Sequence, residues 1–213
     1  DIGYDAEIAE KLASLDKSLT FSVLPNAPLK RKIAESAAAK GIQVMLHLPM
    51  EPVEYPAANP GEGALFSSMS PKQMLAQLEQ HLDAVPHIRG VNNHMGSRLT
   101  ATSSPMYHLM SVLKKRQMFF IDSFTTGDSR CLSAARNTQI PFAQRDIFLD
   151  HVQEAEAIRT QIRRLIHAAK THGEAIGIGH PHSVTYNVLK EELPNLKKEI
   201  RLVPASELVH IVG

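Results

Sequence analysis

The sequence predicts an α/β domain with a mostly parallel sheet, and three observations carry that prediction. Short β-prone runs alternate with helical patterns along the whole chain, as βαβ units require. Several of the runs are apolar nearly throughout, as expected of strands covered on both faces. No linker, low-complexity tract or repeat interrupts the alternation, so residues 1–213 read as one domain.

The elements follow in order. In "DAEIAEKLASLDK", Asp5 caps a helix whose apolar stripe is Ile8, Leu12 and Leu15. "LTFSVLP" (19–25) is the first strand run. "APLKRKIAESAAAKG" has Pro28 near its first turn and Gly41 just past its end, the usual asymmetry of helix punctuation. "IQVMLHLP" (42–49) is the second run, and residues 50–69, with Pro52, Pro56, Pro60, Gly61 and Gly63, form a long loop of the kind that serves as a lid or binding loop. "SPKQMLAQLEQHLDAV" opens as a capping box, with Ser70 at the N-cap, Pro71 at N1 and Gln73 at N3.

"IRGVNNH" (88–94) comes next, and "SSPMYHLMSVLKKR" repeats the Ser-Pro start at Ser104 and Pro105. "MFFIDS" (118–123) precedes "SRCLSAAR", a small helix or turn. "DIFLDH" (146–151) leads into the longest helix, roughly 153–172, which ends at Gly173. "AIGIGH" (175–180) is followed by "PHS" and a helix start, and "IRLVPAS" (200–206) is the last strand run.

Composition narrows the function classes. Hydrophobic residues make up 43% and charged residues 21%, an ordinary globular balance. Net charge is +1, so no bulk field points to nucleic acid or to an anionic membrane surface. No apolar run reaches the ~20 residues of a membrane span. The single cysteine, Cys131, excludes an internal disulfide and is too little for a cysteine-based zinc site.

In parallel α/β folds, chemistry gathers at the carboxyl ends of the strands. Those ends carry Asp1, His47 followed by Glu51, His94, Asp122, Asp150 with His151, and His180 with His182. The other histidines (His81, His87, His108, His167, His172 and His210) fall on helix faces or connections and read as solvated or structural. Singly, a histidine after a strand is more often a hydrogen-bonded turn residue than a ligand, and Asp122 or Asp150 more simply caps a turn. Their convergence on one rim shifts the balance. Imidazole plus carboxylate is the ligand set of zinc and related divalent transition metals. Three protein ligands leave a position for water and lower its pKa to ~7, while a histidine is suited to protonate a leaving group. Rival chemistries lack their motifs: there is no G-x-S-x-G elbow, no phosphate-binding G-x-x-x-x-G-K-[ST] and no strand-to-helix G-x-G-x-x-G.

"DIGYD", "LTFSVLPNAP", "GIQVMLHLPMEP", "VNNHMGS", "FFIDS", "RDIFLD" and "GIGHPH" together resemble the divergent polysaccharide deacetylase family, a remote branch of the metal-dependent carbohydrate deacetylases. The resemblance runs nearly end to end. It implies a distorted (β/α) barrel of about seven parallel strands, with the first strand N-terminal to this sequence. The superfamily opens with an Asp-Asp pair, general base then metal ligand, and Asp1 resembles the second member. Its His-x-x-x-His motif is matched in place by "HLPME", which implies a ligand role for His47 but has Glu51 where the second histidine stands. Glu51 is then a weaker ligand, an orienter or a base. His94, near the place of the superfamily's Arg-Pro-Tyr motif, is inferred to restore the third ligand. His180 matches the general-acid histidine, Asp122 falls at an acidic position that tunes catalytic groups, and His182 is an extra that orients His180, contacts substrate or joins the metal shell.

The resulting expectation is a metal-dependent hydrolase, zinc first among the cations, that removes acetyl groups from amino sugars of a cell-envelope polysaccharide. The resemblance further implies a periplasmic or cell-surface location, with the signal segment outside this chain. Two rivals stay open: a non-catalytic glycan-binding or envelope protein on a deacetylase-like fold, and a metal hydrolase of another amide or ester. An aromatic content of 5% without tryptophan argues against an extended sugar-stacking platform.

Overall fold

The computed structural model describes residues 1–213. Helix α1 (Ala6–Ala13) starts where Asp5 accepts hydrogen bonds from the Glu7 and Ile8 amides, and it buries Ile8 and Leu12. Strand β1 (Thr20–Val23), helix α2 (Lys30–Ala39) and strand β2 (Gln43–Met50) follow. Helix α3 (Pro71–Ala84) has the reciprocal Ser70–Gln73 capping box. Strand β3 (Ile88–Met95), helix α4 (Ser103–Lys115), strand β4 (Phe119–Asp122), helix α5 (Cys131–Thr138) and strand β5 (Pro141–Gln144) complete the main sequence of units. Then come β6 (Ile147–Phe148), α6 (Ala155–His172), β7 (Gly177–Ile178), α7 (Ser183–Glu199) and β8 (His210–Ile211).

The strands form two sheets. One runs β1-β2-β3-β4-β5-β8, parallel from β1 to β5 with β8 antiparallel at the edge. The other is the parallel pair β6-β7. The α/β class with a mostly parallel central sheet therefore holds and is consistent with a barrel-like arrangement, the strands pairing as a six-stranded sheet and a separate two-stranded ribbon. Residue Ile2 makes a parallel bridge to Val23, which brings Asp1 alongside the end of β1.

Two local expectations are corrected, and β5 is an element the sequence pattern did not announce. The 200–206 run forms no strand: it stays irregular and ends in a short 3-10 turn at Ala205–Glu207, and Pro204 has no N–H to give a ladder. The unanticipated β5 is short, begins with a proline and buries only Phe142, so it carries no strand pattern. Helix α4 starts at Ser103, one residue before the Ser104-Pro105 pair, with Thr102 at the N-cap. Pro105 is tolerated there because the first-turn amides have no partner within the helix.

Strand alternation divides the main sheet into two faces. Val44, Leu46, Leu48, Val91, Phe120 and Phe142 join the core packed against the helices. Met45, Phe119 and Ile121 lie on the other face, against Ile176, Ala205 and Val209. His47 is two residues from Met45 and in register with Asn92, which is in register with Ile121. His47, Asn92 and His94 therefore share the face turned away from the helices.

Candidate active site

Two backbone devices set the first group of side chains. Asp1 is fixed by its neighbour: the Ile2 amide donates to the Ser22 carbonyl at 3.0 Å, and the Ile2 carbonyl accepts from Leu24 at 2.9 Å. After His94 the chain turns sharply through two left-handed residues, Met95 (φ 54°) and Gly96 (φ 94°). A Cβ at Gly96 would stand 2.9 Å from the Met50 Cβ, so only glycine fits this turn.

The three side chains meet. His47 Nε2 lies 2.8 Å from Asp1 Oδ1, and His94 Nδ1 lies 3.1 Å from both. Atoms bound tetrahedrally at zinc distances stand about 3.3 Å apart, so the set needs only slight opening to hold an ion. Its hydrogen bonding favours a cation. The Asn92 amide N–H₂ donates to Ser123 Oγ at 3.2 Å, leaving Asn92 Oδ1 as the acceptor 3.0 Å from His47 Nδ1. His47 Nδ1 must then carry the hydrogen, and Nε2 presents a lone pair to a carboxylate oxygen. Two acceptors at 2.8 Å need a proton or a metal cation between them. Burial foremost, and then surrounding positive charge including His94 and His180, holds His47 well below the ordinary imidazole range. Burial likewise brings His94 down to about 4. Both rings are neutral near pH 7, the form in which imidazole binds metal.

Beneath this group runs a buried polar chain that sequence reasoning missed. Ser123 Oγ donates to the Asn93 carbonyl at 2.7 Å, the Ser123 amide donates to Asn93 Oδ1 at 2.8 Å, and Asn93 Nδ2 donates to the Met95 carbonyl at 2.8 Å. Asn92 and Asn93 are 3% and 0% exposed. The signal was present in "VNNH": two amides inside an otherwise apolar strand demand partners.

The ribbon supplies the second group. Asp150, 2% exposed, accepts from the His180 amide (2.6 Å) and Thr185 Oγ (2.7 Å) through Oδ2, and its Oδ1 lies 3.0 Å from His180 Nδ1. Burial alone would raise the Asp150 pKa, but these bonds outweigh it and hold the carboxyl below its ordinary value. With Nδ1–H pointing at Asp150, His180 Nε2 is free for proton transfer. The aromatic ring of Phe148 packs 5.2 Å from the His180 ring, and the Arg145 guanidinium sits 5.1 Å from the Phe148 centroid. Arg145 also donates to the carbonyls of Ser123 (2.7 Å) and Phe124 (2.9 Å), tying the end of β4 to the ribbon. Asp150 does more than cap a turn, and Arg145, the first residue of "RDIFLD", was not singled out from the sequence. His182 lies in the same group, its ligand atom within 4.8 Å of those of Asp150 and His180.

Two candidates stand apart from both groups. Glu51 accepts from the Ser67 amide (2.7 Å) and Ser67 Oγ (2.5 Å), with Arg98 at 3.6 Å, and so clamps the 50–69 loop. Asp122 lies on the helix-facing side of β4, where it accepts from the Phe124 amide (2.8 Å) and Ser129 Oγ (2.6 Å). His81 is buried and contacts the Gly63 carbonyl at 2.6 Å, a second anchor for the loop. Cys131 is fully buried, and burial pushes its thiol well above the ordinary range, so it is no nucleophile.

The chain is similar to several known proteins. The model of the divergent polysaccharide deacetylase family matches residues 1–209. The uncharacterized protein YibQ of Escherichia coli (strain K12) is 33% identical over 210 residues, which cover 99% of this chain and 65% of that protein's length. An uncharacterized protein of Haemophilus influenzae is 34% identical over 208 residues, covering 98% of this chain and 74% of that one. Among solved structures, an uncharacterized protein from Agrobacterium tumefaciens C58 superposes with a TM-score of 0.93 at 23% identity, over 98% of this chain and 86% of the other, and shares the fold. The chain belongs to the divergent polysaccharide deacetylase family.

Proposed function

We propose that this chain is a metal-dependent hydrolase that removes acetyl groups from the amino sugars of a cell-envelope polysaccharide, acting in the periplasm or at the cell surface. The observation that carries the reading is the meeting of Asp1, His47 and His94, with a lone pair facing a carboxylate, in a chain that also holds a buried Asp150–His180 pair. The family supports a carbohydrate substrate. No helix is long and apolar enough to cross a membrane.

Asp1, His47 and His94 would hold the ion, zinc being the first candidate for two imidazoles and a carboxylate. When bound, such an ion supplies Lewis acidity toward an acyl carbonyl and makes water a nucleophile near neutral pH. Asn92 holds His47 in the tautomer that leaves Nε2 free. His180 delivers a proton from Nε2 to the departing amine nitrogen, while Asp150 orients the ring and stabilises its charged form. Phe148, backed by Arg145, restricts the ring's position. The loop anchored by Glu51 and His81 follows β2 at the carboxyl-end rim and is the segment suited to cover a sugar groove.

A second reading, glycan binding without turnover, is favoured by one observation. Besides Asp1, itself a proposed ligand, the strand-end carboxylates Glu51, Asp122 and Asp150 are each engaged by hydrogen bonds, so none of these three is an uncommitted base. Elemental analysis of purified protein and of His94→Ala, with acetate release from acetylated amino-sugar oligomers, separates the readings. About one divalent ion per chain, lost in the variant, together with metal-dependent acetate release supports the hydrolase. Bound metal without turnover supports the binding protein. Absence of bound metal after reconstitution with zinc refutes the metal site.

A further inference from the structure

We propose that Asp150, His180 and His182 form a second, weaker zinc site whose occupancy inhibits the enzyme. The binding claim stands on its own geometry; the inhibition rests on the reading of His180 as proton donor.

His182 is the starting point. The mechanism gives it no task, and its imidazole makes no hydrogen bond within the chain, although the residue is only partly exposed. It stands one residue beyond Pro181 at the N-cap of α7, with its ring 5.7 Å from that of His180 at 36°. One ligand atom from each of Asp150, His180 and His182 lies within 4.8 Å of the others. Tetrahedral ligands stand about 3.3 Å apart, so the group must close slightly. That closure falls to His182, which has no partner to give up. A carboxylate with two imidazoles is the same donor set as the first group, and its chemistry selects the same class of ion.

The second site is the weaker for two reasons. Asp150 is already shared among the His180 amide, the Thr185 hydroxyl and the His180 ring. The site also lies at the N-terminal end of α7, where the helix dipole disfavours a cation. An ion there binds His180 and His182 as neutral rings, and any proton on His180 leaves to solvent. The histidine that would protonate the leaving amine then has no proton to give.

The test is a zinc titration of the metal-free protein, read as bound ion per chain by equilibrium dialysis and elemental analysis. Wild type is expected to bind two ions, the second at least tenfold more weakly. His182→Ala should bind only the tight one, and His94→Ala should keep the weak one alone. Circular dichroism melts establish that each variant is folded, and His182→Gln replaces His182→Ala if that variant is not. In parallel, the ratio of activity with and without excess zinc is measured within each protein. Zinc at weak-site occupancy should lower wild-type activity at least tenfold and leave the His182 variant's ratio near one. A single ion in wild type, or a second ion bound equally well by the His182 variant, overturns the site. Two ions with no turnover at any zinc level uphold the site and remove the hydrolase reading, so the two failures are distinguishable.

Discussion

Removing the carbonyl of Asn92 should weaken metal binding without unfolding the protein. Asn92 Oδ1 accepts the His47 Nδ1 hydrogen at 3.0 Å in a site where Asn92 is 3% and His47 6% exposed. In Asn92→Ala the buried N–H loses its acceptor, a cost of about 1–3 kcal/mol. The ring can avoid that cost only by moving its hydrogen to Nε2, the atom needed for the ion. Either way the loss falls on the metal-bound state, and outer partners of this kind are typically worth ~10–100-fold in affinity, which is about 1.4–2.8 kcal/mol. The assay is competition for zinc against a chromophoric chelator, beside a melt of the metal-free protein. The melt should fall only slightly, because the variant also loses the Asn92–Ser123 bond, worth ~1 kcal/mol. Asn92→Asp supplies the opposite perturbation. A charged acceptor raises the basicity of His47 and tightens zinc, while burying a carboxylate in the metal-free protein lowers its melting temperature. If both variants bind zinc within twofold of wild type, the tautomer of His47 is not set by position 92, and the reasoning fails.

Other expectations follow from the same geometry. Glu51→Gln should leave zinc stoichiometry unchanged while speeding proteolysis within residues 50–69, since Glu51 holds Ser67; loss of the ion would make Glu51 a ligand. His81 has its pKa lowered by burial from an ordinary 6.5, so the unfolded chain takes up its proton first as pH falls. Stability from this residue is full above pH 6.5 and declines below it, and urea unfolding of His81→Gln between pH 7 and 5 should show a flatter profile than wild type. An equal slope in the two proteins would remove His81 from the account. Gly96→Ala forces a Cβ against Met50 at positive φ and should cost about 1–3 kcal/mol, lowering Tm by roughly 2–12 °C. The exposed control His172→Ala should change neither melting temperature nor zinc content.

The strands that carry the candidate metal group were legible from short β-prone runs between helical patterns, the first of them apolar nearly throughout. "IQVMLHLP" and "IRGVNNH" became β2 and β3, and adjacent parallel strands with matched ends set His47 and His94 side by side. The acid pair was harder to see. Strands β6 and β7 are two residues each, too short for a period, and nothing in "DIFLDH" separates a histidine-orienting carboxylate from a cap. Only pairing across the ribbon, Ile147 with Gly177 and Phe148 with Ile178, brings Asp150 to His180. Asp122 shows a different limit of reading strand ends. Its place at a strand end was read correctly, but a side chain alternates faces, and its register puts it one step out of phase with Asn92.

That phase relation explains how the two groups come to belong to one protein surface. The candidate metal group stands on the sheet face turned from the helices, and the segments covering that face include Ile176, which leads directly into β7. The Asp146 carboxylate and the Ile176 amide are joined at 2.7 Å, so the entry to both ribbon strands is pinned together. Arg145 then fastens the ribbon to the end of β4 through the Ser123 and Phe124 carbonyls. Ser123 is also the residue that receives Asn92. One serine thus links the residue that orients His47 to the arginine that packs on Phe148 and, through it, reaches His180. Neither group's geometry is independent of the other, although no strand hydrogen bonds join their sheets.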